Sequence, residues 1–169
     1  MLYDTEELRK IARRMRQVAQ KNLRKSGYLS PVGLAYRSDG YIDTFTFQWD
    51  TLEEKRKSQR EFQMELVKRD AKAAVVISET WAKFADDGPI DPRDLNRSVR
   101  DMPGRKDAIL VEAGSPFGRV VIVQTFTKIK PGRILFDDPR EFTVATGGLT
   151  SEFLDAIWPV RPTGQETWH

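Results

Sequence analysis

Glu79 is the carboxylate best placed to do chemistry in this chain. It lies between Ser78 and Thr80, directly after Val75-Val76-Ile77, at the end of a β-branched run that reads as an interior strand covered on both faces. A carboxylate buried there is costly unless paired, and its raised pKa would suit general acid work. A salt bridge to a basic residue at the strand end is the ordinary alternative. With Asp94 or Asp107, Glu79 could hold magnesium and act on phosphate esters. More acids stand at Asp86, Asp87, Asp91, Asp137 and Asp138. Their spacing lacks the regular oxygens and terminal glutamate of an EF-hand, and aspartate before proline or glycine is common turn chemistry. No resident metal or cofactor is expected.

A second constellation is cationic. Residues 1–25 carry eight Lys and Arg against three acids, while the remaining residues carry 20 bases and 22 acids. The basic character therefore belongs to one segment, and Arg9, Arg13 and Arg16 are its candidate contacts to a polyanion. A charged outer face is also what a solvated helix shows. No glycine loop for phosphates is present, and Trp49, Trp81 and Trp158 read as core or edge aromatics rather than a stacking platform.

The chain has no cysteine, and its one histidine is the last residue, His169. Zinc fingers, zinc hydrolases and Ser-His-Asp or Cys-His catalysis each lose an essential part. Carboxylate, hydroxyl, lysine and arginine chemistry remains. At 169 residues, 39% hydrophobic and 31% charged, the composition is that of a globular domain able to bury roughly 70% of its unfolded surface. No apolar run reaches the roughly 20 residues of a membrane span. A cytoplasmic setting without membrane contact is the expectation.

The elements that must position these residues follow from pattern. Asp4 and Glu7 read as a capping box opening a helix over 5–25, with Leu8, Ile11, Met15, Val18 and Leu23 as its apolar stripe and Gly27 as its stop. Val32–Arg37, the turn Ser38-Asp39-Gly40, and Tyr41–Trp49 form a hairpin, with Phe45, Phe47 and Trp49 on one face. Thr51 and Glu54 cap a second helix reaching Asp70, its seam traced by Leu52, Gln59, Phe62, Leu66 and Ala73. The interior strand at 74–81 follows. Residues 84–106 are broken by Asp-Gly-Pro, Asp-Pro and Pro-Gly, and so long a loop tends to be functional or mobile. Ala108–Glu112 and Arg119–Ile129 form a second hairpin, Ile134–Phe136 a short strand, and Leu149–Trp158 a short helix before a loose tail at 159–169. The order α-β-β-α-β-loop-β-β predicts a single α+β domain over 1–158, with a mixed, mostly antiparallel sheet and two long helices packed on it.

Two segments carry a resemblance. Ala74-Val75-Val76-Ile77-Ser78-Glu79-Thr80-Trp81, then after a polar loop Arg105-Lys106-Asp107-Ala108-Ile109-Leu110-Val111 and a glycine-containing hairpin, resemble a pattern in small uncharacterised bacterial and phage proteins. The resemblance covers about residues 60–130. It implies an α+β domain and a prokaryotic or phage setting, and it brings no functional residues. The element order is also similar to that of JAB-type metalloproteases, whose zinc needs paired histidines that this chain lacks.

Together these readings point to a non-enzymatic binding or assembly module. The alternatives are a magnesium-assisted phosphate-ester enzyme on Glu79 and non-specific nucleic-acid binding by the first helix. Phe142, Val144, Leu149, Phe153, Leu154, Ile157 and Trp158 form an apolar surplus that must close over the sheet or meet a protein partner, a second copy included. Closure over the same chain is the favoured outcome.

Overall fold

Seven strands form one sheet in the order β2-β1-β3-β4-β5-β6, with β7 lying beside β5, and every described pairing is antiparallel. The computed structural model describes residues 2–82, 84 and 104–143. Along the chain the elements are α1 (Thr5–Ser26), β1 (Val32–Arg37), β2 (Ile42–Thr46), α2 (Leu52–Lys68), β3 (Ala71–Ala82), β4 (Lys106–Ser115), β5 (Gly118–Lys130), β6 (Arg133–Phe136) and β7 (Arg140–Thr143). The α+β class and the element order are those the patterning predicts. The proposed C-terminal helix, the tail and most of the 84–106 loop lie outside the described residues.

Local chemistry explains the helix ends. The Asp4 carboxylate accepts from the Glu7 N–H, and the chain leaves α1 through Gly27 at φ 78, whose N–H reaches the Leu23 carbonyl. Only half of the expected first capping box forms, because the Glu7 side chain accepts from Lys10 instead. The second box is complete, with Thr51 and Glu54 each satisfying the other's backbone. Helix α2 ends at Lys68 rather than Asp70, which takes a left-handed φ of 51 as the chain turns into β3.

Period-two alternation divides the core between two faces. On one face Leu8, Ala12, Ala19 and Leu23 of α1 pack on Val75 and Ile77, Ile109 and Val111, and Val120, Ile122 and Phe126. On the other, Phe62 and Leu66 of α2 pack on Ala35, Ala74 and Val76, with Phe45, Phe47 and Trp49 closing the side. Strand β3 is thus covered on both faces, as its unbroken apolar run requires. The expected seam of α2 needs two corrections: Leu52 is exposed, because it sits at the first helical turn beyond the edge of the aromatic cluster, and Ala73 belongs to β3 and packs on the α1 face. A further second-face cluster joins Ala108, Val121 and Val123 to Phe142, which lies within the sheet on β7, opposite Val121, and packs there on its own chain. The other members of the apolar surplus, Val144 to Trp158, lie outside the described residues.

One placement controls what remains open. Helix α1 lies over β3, β4 and β5, and β2 is a sheet edge. The α1-side surface of β1 and β2, carrying Val32, Leu34, Thr44 and Thr46 by register, therefore extends beyond the helix.

Candidate functional site

Helix α1 has two basic flanks, and the fold treats them differently. At 100° per residue, Arg9, Arg13, Arg16, Gln20 and Arg24 fall on one side of the buried stripe, and Arg14, Val18, Lys21, Asn22 and Lys25 on the other.

The first flank closes on β5, β6 and β7. Arg13 makes a two-pronged contact to Glu141, Nε to Oε1 at 2.5 Å and Nη2 to Oε2 at 2.9 Å. Arg9 pairs with Glu6 and lies 3.7 Å from Glu141. Arg16 Nη1 and Gln20 Nε2 both donate to Gln124 Oε1, at 3.2 and 2.7 Å. Arg24 stacks over the Phe136 ring. The three arginines singled out as polyanion contacts are thus brought together, and each is engaged by the protein itself.

Glu141 and Gln124 were not among the sequence candidates. Glu141 lies on a four-residue strand too short for a periodic signal. Gln124 did leave one: it is the polar residue at a core-facing position in the run Val120, Ile122, Gln124, Phe126.

The hydrogen bond from Arg13, aided by the charges of Arg13, Arg9 and Arg16, holds the Glu141 carboxyl below the usual carboxylate range, against the opposing effect of partial burial. A depressed folded-state pKa stabilises the fold above the unfolded value of about 4.3 and loses that contribution as pH falls through the folded value. Glu141→Gln should therefore lower the urea midpoint at pH 7. The gap to wild type should narrow below about pH 4 and close at lower pH, and equal midpoints at pH 7 would exclude a stabilising contact.

Glu79 is also engaged. Its Oε2 accepts from the Leu29 N–H at 3.2 Å, and Lys128 Nζ lies 3.7 Å from Oε1. The carboxylate ties the segment leaving α1 to β3 and balances a cation of β5. Asp107 stands opposite Trp81, and Glu79 opposite Ile109, so the two acids share a face as diagonal neighbours. Both border a cleft of about 460 Å³ at the open end of the sheet, with Trp49, Lys55 and Trp81. Asp94 lies outside the described residues. Among those residues no three His, Cys, Asp or Glu side chains gather closely enough to hold a metal ion. Asp137 is occupied by Thr125 Oγ1 at 2.5 Å and by Lys106 at 3.6 Å.

The second flank of α1 borders a groove. Met15, Val18 and Asn22 form one wall, Val32, Leu34 and Ile77 the floor, and Tyr28 and Leu29 the end, enclosing about 270 Å³. Val18 is 41% exposed and Tyr28 63%. Arg14 overlooks the same side: burial and the nearby Tyr3 raise the pKa of the Tyr36 phenol on β1, and the Arg14 charge opposes them. Patterning placed Val18 in the apolar stripe of α1, but the helix lies too far toward β5 for the sheet to cover it.

An antiparallel sheet between two helices, with one basic flank of α1 closed by β5, β6 and β7 and the other beside an open groove, places the protein in the α+β class. A family profile matches residues 2–146, and the chain belongs to the bacteriophage lambda protein ea47 family. That description names a phage protein and no activity, in keeping with the setting the resemblance implies. No curated protein and no solved structure matches the chain. No helix among the described residues is long and apolar enough to cross a membrane.

Proposed function

We propose that this protein is a non-enzymatic binding module whose working surface is the groove between α1 and the β1–β2 edge. The observation that supports this reading is the offset of α1 toward β5, which leaves Val18 and Tyr28 exposed beside a floor of Leu34 and Ile77. Contiguous apolar surface rimmed by polar groups is characteristic of interaction sites. By contrast, Arg9, Arg13, Arg16 and Glu79 are committed to partners within the fold.

The test is amide chemical-shift mapping of the full chain against oligonucleotides and peptides of varied charge. Ligand-induced shifts should gather at Val18, Asn22, Tyr28 and Leu34, and Val18→Asp should abolish them. Shifts gathered at Trp49, Trp81 and Asp107 would overturn the assignment.

A second reading is favoured by the shared face of Glu79 and Asp107. In it the two carboxylates hold magnesium in the cleft at the sheet end and act on a phosphate ester. It requires turnover of an aryl phosphate that depends on magnesium and is lost in Glu79→Gln. Absence of such turnover leaves the binding reading alone.

A further inference from the structure

We infer that the groove binds single-stranded nucleic acid, with Arg14, Lys21 and Lys25 meeting the phosphates and Tyr28 stacking on a base. This rests on the groove being the working surface and names its occupant. Arg14, Lys21 and Lys25 recur at helical spacing in one row with Val18, along the outer edge of the α1 wall rather than in the groove lining itself. The stripe spans about 16 Å at 1.5 Å rise per residue, the reach of roughly five phosphates on a stacked strand.

Charge and surface chemistry favour this occupant over an apolar peptide. Among the described residues, Glu79, which is bonded to the groove residue Leu29, is already balanced by that N–H and by Lys128. Among the described residues no acid pairs with Arg14, Lys21 or Lys25, whereas on the opposite flank Arg9 and Arg13 meet Glu141. Thr44 and Thr46 face the α1 side by register and offer hydroxyls to sugar or base edges. Tyr28, exposed at the groove end, provides a ring of the kind on which bases stack in sequence-tolerant single-strand binding. A duplex buries its base faces and cannot use that ring, so single strands are preferred. Contacts of this kind read backbone and stacking and carry little sequence information.

The experiment is fluorescence anisotropy of the full-length protein with labelled oligo-dT and oligo-rU fifteen-mers. Three phosphate contacts give a log–log salt slope of about −2, a loss of roughly twentyfold in affinity between 50 and 200 mM salt. The triple variant Arg14→Gln, Lys21→Gln, Lys25→Gln should flatten that slope. The control Arg56→Gln, Lys57→Gln, Arg60→Gln removes the same charge from α2 and should retain it. Tyr28→Ala should weaken binding about tenfold, a typical loss for one base–aromatic stack, while Tyr28→Phe should bind as wild type. Circular dichroism of each variant checks that α1 is intact, and shift mapping with unlabelled oligo-dT on the unmodified protein locates the contact independently of any substitution.

Four results would each overturn the inference: no binding at 50 mM salt, equal loss in the α2 control, a duplex of the same length binding as tightly, or equal competition by polyglutamate. If oligonucleotides fail while another ligand shifts Val18 and Asn22, this inference falls and the groove remains the binding surface. If ligands shift only Trp81 and Asp107, both readings fall.

Discussion

Gly33→Ala should cost about 1–3 kcal/mol of stability, as overpacking of a well-filled core does. The reason is steric rather than conformational. A Cβ on Gly33 would stand 2.7 Å from Phe62 Cε2, 2.8 Å from Phe47 Cζ and 2.9 Å from Phe62 Cζ. Those rings meet edge to face at 5.4 Å, and Phe62 is fully buried beneath α2. The glycine lets β1 approach the ring that anchors α2, so the two positions are coupled. Phe62→Ala should cost about 3–5 kcal/mol, the usual range for emptying an aromatic site in a core. Phe62→Leu removes the two ring atoms that crowd position 33, leaving only the Phe47 contact. Gly33→Ala should therefore be milder in the Phe62→Leu background than alone, with a coupling of about 1 kcal/mol. Urea unfolding of the two single variants and the double variant measures this directly. Strict additivity would show that the contact does not limit packing.

The second large effect is expected at Gln124, which is 3% exposed beneath α1. Its Oε1 accepts from Arg16 and Gln20, and its Nε2 donates to the Asp137 carbonyl at 2.8 Å. One side chain thus joins helix α1, strand β5 and the segment following β6. Gln124→Ala should destabilise by about 3 kcal/mol, since hydrogen bonds to charged groups are worth roughly 1.5–3 kcal/mol and a buried unsatisfied group costs a further 1–3. Gln124→Glu separates the two halves of the role. It gains attraction to Arg16 but loses the amide donor to the Asp137 carbonyl and sets two acceptors against each other. That variant should therefore be less stable than wild type, and the deficit should ease at low pH as the new carboxyl becomes protonated. A Gln124→Ala variant as stable as wild type would show that the three hydrogen bonds contribute nothing net.

Both effects bear on function through the position of α1. The Gln124 node and the Arg13–Glu141 pair hold the helix toward β5, and the groove exists because the helix does not extend over β1 and β2. Weakening those contacts should loosen the wall carrying Val18 and Asn22 before it unfolds the sheet, since it is the seating of α1 on β5 and β7 that they fix.

Most of the secondary structure was legible from neighbours in the chain. Helical spacing of Leu8, Ile11, Met15, Val18 and Leu23, the Thr51–Glu54 cap, the Asp39-Gly40 turn and the run Val75-Val76-Ile77 are local signals, and each became the element it indicates. Strand β7 was not legible, because four residues after a proline form no periodic pattern; they pair only because β5 presents an open edge. Gln124 was half legible, as a polar residue in an apolar register, although its partners were not.

What the sequence by itself determined is therefore the inventory: two amphipathic helices, the strands of an α+β domain, a basic first helix, and a side-chain set without cysteine and with one terminal histidine. What only the tertiary structure decided is how that inventory is spent. Arg13 meets Glu141 across 128 residues of chain, and Glu79 meets the Leu29 amide across 50. No periodicity or spacing encodes such meetings, because they depend on which strand becomes the neighbour of which. The eight cations of the first segment look alike in sequence. The lateral offset of α1 on the sheet separates them, giving one flank a carboxylate and the other an open groove.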